Sequence, residues 1–166
     1  MNALLVYDSL YGNTEKIAQA IGNVLGGRNE IRVLRVGDVK STDLANLDLL
    51  VVGSPTQAFR ATAAIKKFVE GIRKDALKGV RVAAFDTRIA VEDVDSRILP
   101  PFVKAFGYAA KPLAASLVKK GGELAIAPEG FLVQGKEGPL KDGEIERAAR
   151  WAEQAASFQP RAARTF

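Results

Sequence analysis

Apolar residues gather into five short runs along the chain: ALLVY (3–7), IRVLRV (31–36), LDLLVVG (47–53), VRVAAFD (80–86) and ELAIA (123–127), with GFLVQG (130–135) as a candidate continuation of the last. The first, third and fourth lack clean polar alternation, which is how strands covered on both faces read. Between the runs, apolar positions recur at helical spacing. Ile17, Ile21, Val24 and Leu25 form one stripe, ended by Gly26-Gly27, and Ile65, Phe68, Val69 and Ile72 form a second. Leu113, Leu117 and Val118 mark another helix, with Pro112 in its first turn or at a kink. Ile145, Ala148, Ala149, Ala152 and Ala155 mark the last. Asp142 reads as its N-cap, with Glu144 and Glu146 at the positive end of the helix dipole. STDLANL (41–47) predicts only a short, weak helix between the second and third strands.

Strands alternating with helices argue for a parallel sheet, because right-handed crossovers place the helices on its faces. The expected fold is α/β, a three-layer doubly wound five-stranded parallel sheet. Residues 1–157 are expected to form one domain, and the polar, basic, aperiodic stretch 158–166 a frayed tail. A chain of 166 residues, 48% hydrophobic, has enough apolar surface for one core of this kind and too little for two ordinary domains.

Composition then narrows the chemistry. Cysteine and histidine are both absent, which excludes disulfides, thiol nucleophiles, Cys/His zinc sites and serine triads with an imidazole base. Carboxylate, lysine, hydroxyl and backbone groups remain, as does an organic cofactor that the protein positions. The net charge of +5 raises the question of a polyanionic partner. The basic residues are dispersed, however, and their densest points are the pairs Lys66/Lys67, Arg73/Lys74 and Lys119/Lys120. Without a basic stripe interleaved with aromatics, no nucleic-acid partner is expected. No apolar run approaches the ~18 residues of a membrane span. MNALLVYDS enters a strand pattern directly, without a basic leader, so a cytoplasmic protein is expected.

The candidate chemistry lies in the loop after the first strand. In a doubly wound sheet, ligands sit beyond the carboxyl ends of the strands, where the strand order reverses. There Ser9 and Thr14 offer hydroxyls, Gly12 permits a backbone conformation denied to other residues, and the following helix turns its unpaired N–H groups toward the loop. Such a loop can enclose a phosphate without a cationic side chain of its own, or serve simply as a capped strand-to-helix turn. It is neither a P-loop nor a G-x-G-x-x-G fingerprint. A phosphoryl-accepting receiver domain is also excluded, since Asp8 stands alone after the first strand and Gly53 stands where the acceptor aspartate belongs.

YDSLYGNTEKIA (7–18) resembles the phosphate-binding loop of flavodoxin-like proteins, whose pattern is [ST]-x-[ST]-G-x-T. Ser9, Gly12 and Thr14 match it. Tyr11 replaces the usual hydroxyl residue, a variant similar to that of flavodiiron proteins and related quinone reductases. VVGSPTQAF (51–59) resembles the family's second flavin-contacting loop. The resemblance implies strand order 2-1-3-4-5, FMN as cofactor and three walls around it. Ser9, Leu10, Tyr11, Gly12, Asn13 and Thr14 would form the phosphate cradle. Ser54, Pro55, Thr56, Gln57, Ala58 and Phe59 would form the second wall, with Thr56 facing the flavin and Phe59 either stacked on the ring or anchoring the loop. Asp86, Thr87 and Arg88 would form the third.

The function so implied is electron transfer between a reduced donor and a protein partner or small-molecule acceptor such as a quinone, with no catalytic side chain and no metal. The alternative is a non-redox binding or regulatory module on the same fold. The chain departs from the family in two respects. DTRIAVEDVDSRILPPF (86–102) has no aromatic between Phe85 and Phe102, where ordinary flavodoxins carry a tyrosine or tryptophan, and it places Glu92, Asp93 and Asp95 on the rim. Its positive charge also opposes docking on the basic partners of acidic flavodoxins. Trp151, on the last helix, reads as packing.

Overall fold

The computed structural model describes residues 1–27, 29–90, 93 and 108–157. Strands β1 (Asn2–Tyr7), β2 (Glu30–Arg35), β3 (Leu49–Pro55), β4 (Arg81–Ile89), β5 (Glu123–Leu124) and β6 (Glu129–Val133) form one parallel sheet in the order β2-β1-β3-β4-β5, and β6 also pairs with β4. Helices α1 (Asn13–Gly26), α2 (Ala63–Gly71), α3 (Ala110–Lys119) and α4 (Glu144–Ser157) cover its two faces.

Side-chain alternation along the central strands explains the three layers. Ala3, Leu5 and Tyr7 of β1 and Val51 of β3 pack with Ile17 and Ile21 of α1 and with Ala148, Trp151 and Ala152 of α4. The intervening residues Leu4, Val6, Leu50 and Val52 pack with Ile65 and Val69 of α2 and with Leu113 and Leu117 of α3. Both faces are therefore core, and the strands need apolar residues at every position. No helix among the described residues is long and apolar enough to cross a membrane.

Several details correct the sequence reading. The sheet has six strands rather than five, because the run 123–127 pairs as a strand only at Glu123 and Leu124, opposite Arg81 and Val82. The segment 130–135 belongs to a separate strand, β6, set against Phe85–Ile89. Pro128, which lacks an N–H, stands at the break. STDLANL forms no α-helix; 3-10 turns at Val36–Asp38 and Ser41–Leu44 carry the connection. Helix α4 begins at Glu144, so Gly143, at φ 83°, takes the position expected of Asp142, and its carbonyl accepts the Arg147 amide at 3.0 Å. Pro112 lies in the first turn of α3, where its missing N–H costs nothing. The tail 158–166 lies outside the described residues.

Trp151 packs edge-on against Phe85 and Phe131, with ring centroids 6.2 and 6.3 Å away, and its Nε1 donates to the Ala127 carbonyl at 3.1 Å. Beneath this cluster, Phe85 lies so close to Gly53 that a Cβ at position 53 would fall 2.1 Å from its Cζ. G53A is therefore expected to force Phe85 and its neighbours apart, at a cost of about 3 kcal/mol. Urea unfolding should show this as a lower midpoint with an unchanged slope.

Candidate functional site

The carboxyl ends of β1, β3 and β4 lie side by side, and the loops that leave them form the walls of a cleft of about 450 Å³. The first wall is the turn from β1 into α1. Asp8 is registered to the sheet by its amide, which donates to the Gly53 carbonyl at 3.2 Å, and its Oδ1 accepts the Ser9 amide at 2.9 Å. The Arg35 guanidinium donates to the Ser9 carbonyl. Gly12 then turns the chain at φ 86°, a left-handed conformation that favours glycine, and its carbonyl accepts the Lys16 amide at 3.1 Å to start α1. The buried Ser9 hydroxyl oxygen accepts the amides of Gly12 (3.1 Å) and Glu15 (3.3 Å). Among the described residues, the amides of Leu10, Tyr11, Asn13 and Thr14 donate to no protein acceptor. Four N–H groups at the positive end of a 14-residue helix thus line one small loop.

The second and third walls meet the first through hydroxyls. Thr14 Oγ1 and Thr87 Oγ1 are 2.8 Å apart, a buried bond that ties α1 to the end of β4. The Thr56 amide donates to the Thr87 carbonyl at 2.9 Å, while Thr56 Oγ1 is buried with no partner among the described residues. A buried hydroxyl so placed on a cleft wall has its hydrogen-bonding capacity left for a polar group in the cleft. Beyond it, Gln57 and Arg60 exchange two backbone hydrogen bonds of 2.8 Å around Ala58 (φ 43°) and Phe59 (φ 65°). Neither central residue is a glycine, so the turn carries roughly 1–2 kcal/mol of backbone strain per residue.

The third wall is anchored underneath by an ion pair. Asp86 is fully buried; its carboxylate takes the Arg88 guanidinium in a fork at 2.6 and 2.7 Å and accepts the Ala110 amide at the start of α3 at 2.7 Å. Burial pushes the Asp86 carboxyl above the usual carboxylate range, with Arg88 and the Ala110 amide pulling the other way. The Arg88 guanidinium also lies 4.3 Å from the centroid of the Tyr108 ring.

Leu10, Tyr11, Asn13, Thr14, Pro55, Thr56, Gln57, Ala58, Thr87 and Arg88 all line the cleft. Ser9 and Gly12 shape the first loop from within, and Asp86 supports Arg88 from below. Ser54 is buried, donating to the Pro55 carbonyl at 2.9 Å and accepting the Thr62 amide at 3.0 Å. Phe59 sits elsewhere: its ring packs 5.8 Å from Tyr108 and lines a different cavity, between α2 and α3. Ile89, Val133 and Lys136 also line the cleft. Composition gave no sign of these, because β6 and the segment after it reach the site only through the fold. Asp93 pairs with Lys141 at 2.6 Å, whereas Glu92, Asp95 and the stretch to Phe102 lie outside the described residues. No cluster of three or more carboxylates among the described residues is placed to hold a metal.

A doubly wound parallel sheet with an amide-lined cleft at its reversal point defines a three-layer α/β protein whose helix start offers N–H groups of the kind that suit an anion. The chain belongs to the flavodoxin domain family, whose model matches residues 4–124, from β1 into β5. No curated protein matches the sequence. Among solved structures, oxidised flavodoxin 1 from Bacillus cereus is similar at 18% identity and a TM-score of 0.74, covering 96% of this chain and 100% of that one. A flavodoxin from the domain Archaea is similar at 23% identity and 0.71, covering 94% and 96%. The flavodiiron protein from Giardia intestinalis is similar at 15% and 0.68, covering 95% of this chain and 36% of the other. At these identities, the structural likeness establishes the shared fold.

The Asp86–Arg88 pair makes a testable electrostatic demand. R88M removes the fork and leaves burial acting alone, so the Asp86 pKa climbs further. A carboxyl whose folded pKa lies above its unfolded value destabilises the protein as pH rises past the unfolded value. R88M is therefore expected to be less stable by about 3 kcal/mol at pH 7, as for other broken buried pairs. The deficit should shrink toward pH 4, where the carboxyl is neutral in the folded variant. Urea titrations at the two pH values measure both.

Proposed function

We propose that this chain is an FMN-binding electron-transfer protein of the cytoplasm, working between a reduced donor and an acceptor that is a protein partner or a quinone-like small molecule. One observation carries the reading: among the described residues, the amides of Leu10, Tyr11, Asn13 and Thr14 have no acceptor, and they share a cleft with a buried Thr56 hydroxyl that likewise has no partner. Amides at a helix start suit a phosphate, and an orphaned hydroxyl suits a polar chain leading away from it. The cleft volume falls within the range of small-ligand sites.

When bound, FMN supplies the redox chemistry itself. The chain's part is to hold and enclose it. The first loop fixes the phosphate end, and the Thr14–Thr87 bond keeps the walls at a set spacing. Pro55, Ala58, Ile89 and Val133 give the cleft an apolar lining. Tyr11, about half exposed at 48%, stands at the lip, where an aromatic can cover a flat ring. With no histidine or cysteine in the chain, neither residue type supplies a proton-transfer or thiol group. The net charge of +5 favours an acidic partner or an anionic donor over a basic one.

The test is optical. Purified protein, as isolated or after addition of FMN, is expected to show a bound-flavin absorption spectrum, and saturating FMN should raise the melting temperature. G12V is expected to lose FMN binding while remaining folded. A Cβ at position 12 meets nothing within 4 Å, so the strain of a β-branched residue at φ 86° falls on the loop and not on the core. Colourless protein that ignores FMN in both assays favours the non-redox module, and full FMN affinity in G12V means the phosphate lies elsewhere.

A further inference from the structure

The phosphate-binding loop contains no cation, yet the fold delivers one to the same cleft from the far end of the sequence. Lys136 lines the cleft together with Tyr11, Asn13 and Thr14. It sits at the tip of a hairpin that follows β6. The hairpin is closed by the Lys141 amide donating to the Leu132 carbonyl (2.8 Å), the Gln134 amide to Pro139 (2.8 Å) and the Gly138 amide to Gly135 (3.0 Å). The tip is pinned to the start of α1, where Asn13 Nδ2 donates to the Glu137 carbonyl at 3.0 Å. The contact is close enough that a Cβ at Gly138 would fall 2.5 Å from Asn13 Nδ2. The backbone on either side of Lys136 is thus fixed, and among the described residues its ammonium makes no ion pair. Arg88, the other cation on the cleft wall, is already neutralised by Asp86.

We infer that Lys136 provides the counter-charge for the phosphate at this site, and so selects a phosphorylated flavin over an unphosphorylated one. The inference rests on the FMN reading above. Amides and hydroxyls orient a phosphate but leave much of its double negative charge uncompensated, and an ammonium on a pinned hairpin, unpaired among the described residues, supplies the missing attraction. Its attraction adds to affinity only when the ligand carries the phosphate, because riboflavin presents a neutral hydroxyl at the same place.

Titration of flavin fluorescence with wild-type protein, K136M and K136R, each against FMN and riboflavin, tests this. Lys136 is exposed, so both variants should fold, which melting curves will verify. K136M is expected to bind FMN about tenfold more weakly at low ionic strength and riboflavin within about twofold of wild type, with the FMN difference narrowing as salt screens the charge. K136R should keep most of the preference for FMN. If K136M weakens both flavins equally, or neither, while the wild type binds FMN, the inference fails and the FMN reading stands. If the wild type binds neither flavin, the FMN reading fails and takes this inference with it.

Discussion

The close approach of Phe85 to Gly53 sets the geometry on which everything above the sheet depends. Phe85 occupies the space a side chain at position 53 would need, and its ring meets Phe131 of β6 and Trp151 of α4 edge-on. One aromatic thereby fixes the spacing of β3, β4 and β6 and holds α4 onto them. Two of the three loops that make the cleft leave strands pinned by this cluster, since β3 ends two residues past Gly53 and β4 ends four past Phe85. A shift in the cluster would move the second and third walls together, and rigid elements beneath loops are what permit a site to be held to small tolerances.

The core was legible in the sequence because burial on two sides leaves an unmistakable trace. LLVV at 49–52 has no polar residue to spare, and Ile17, Ile21 and Leu25 can all reach the sheet only on a helix. What could not be read off depends on tertiary context. ELAIA looks like any buried strand, yet only Glu123 and Leu124 pair, since Pro128 and the kink before it divert the chain. The segment 41–47 has too few apolar residues to hold a helix against the core and settles for a 3-10 turn. Phe59 lines the cavity between α2 and α3 from a turn in which it and Ala58 adopt positive φ, a conformation for which neither residue gives a signal. Lys136 is equally silent, because its placement follows from a hydrogen bond spanning 124 residues, between Asn13 and Glu137.

The site's electrostatics divide between two kinds of group. The helix-start amides offer fixed, partial positive charge that costs no rearrangement when an anion arrives. The cations near the cleft are committed to different degrees: Arg35 braces the Ser9 carbonyl, Arg88 is locked to a buried carboxylate, and Lys136 is unpaired among the described residues. Of these three, the last is the one left to respond to what enters. Among the described residues, the framework is thus stiff where geometry matters and adjustable at Lys136.

The divided margin of the sheet has a consequence for how the protein meets its neighbours. A long, straight outer strand exposes a row of unsatisfied peptide groups onto which another chain can zip. Here that margin is broken into pieces of two and five residues, offset along β4 and separated by a segment containing a proline. The interruption that re-aims the backbone toward the first helix therefore also shortens the edge that this margin offers to a neighbouring chain, so one irregularity both supplies a wall of the cleft and blunts one side of the sheet.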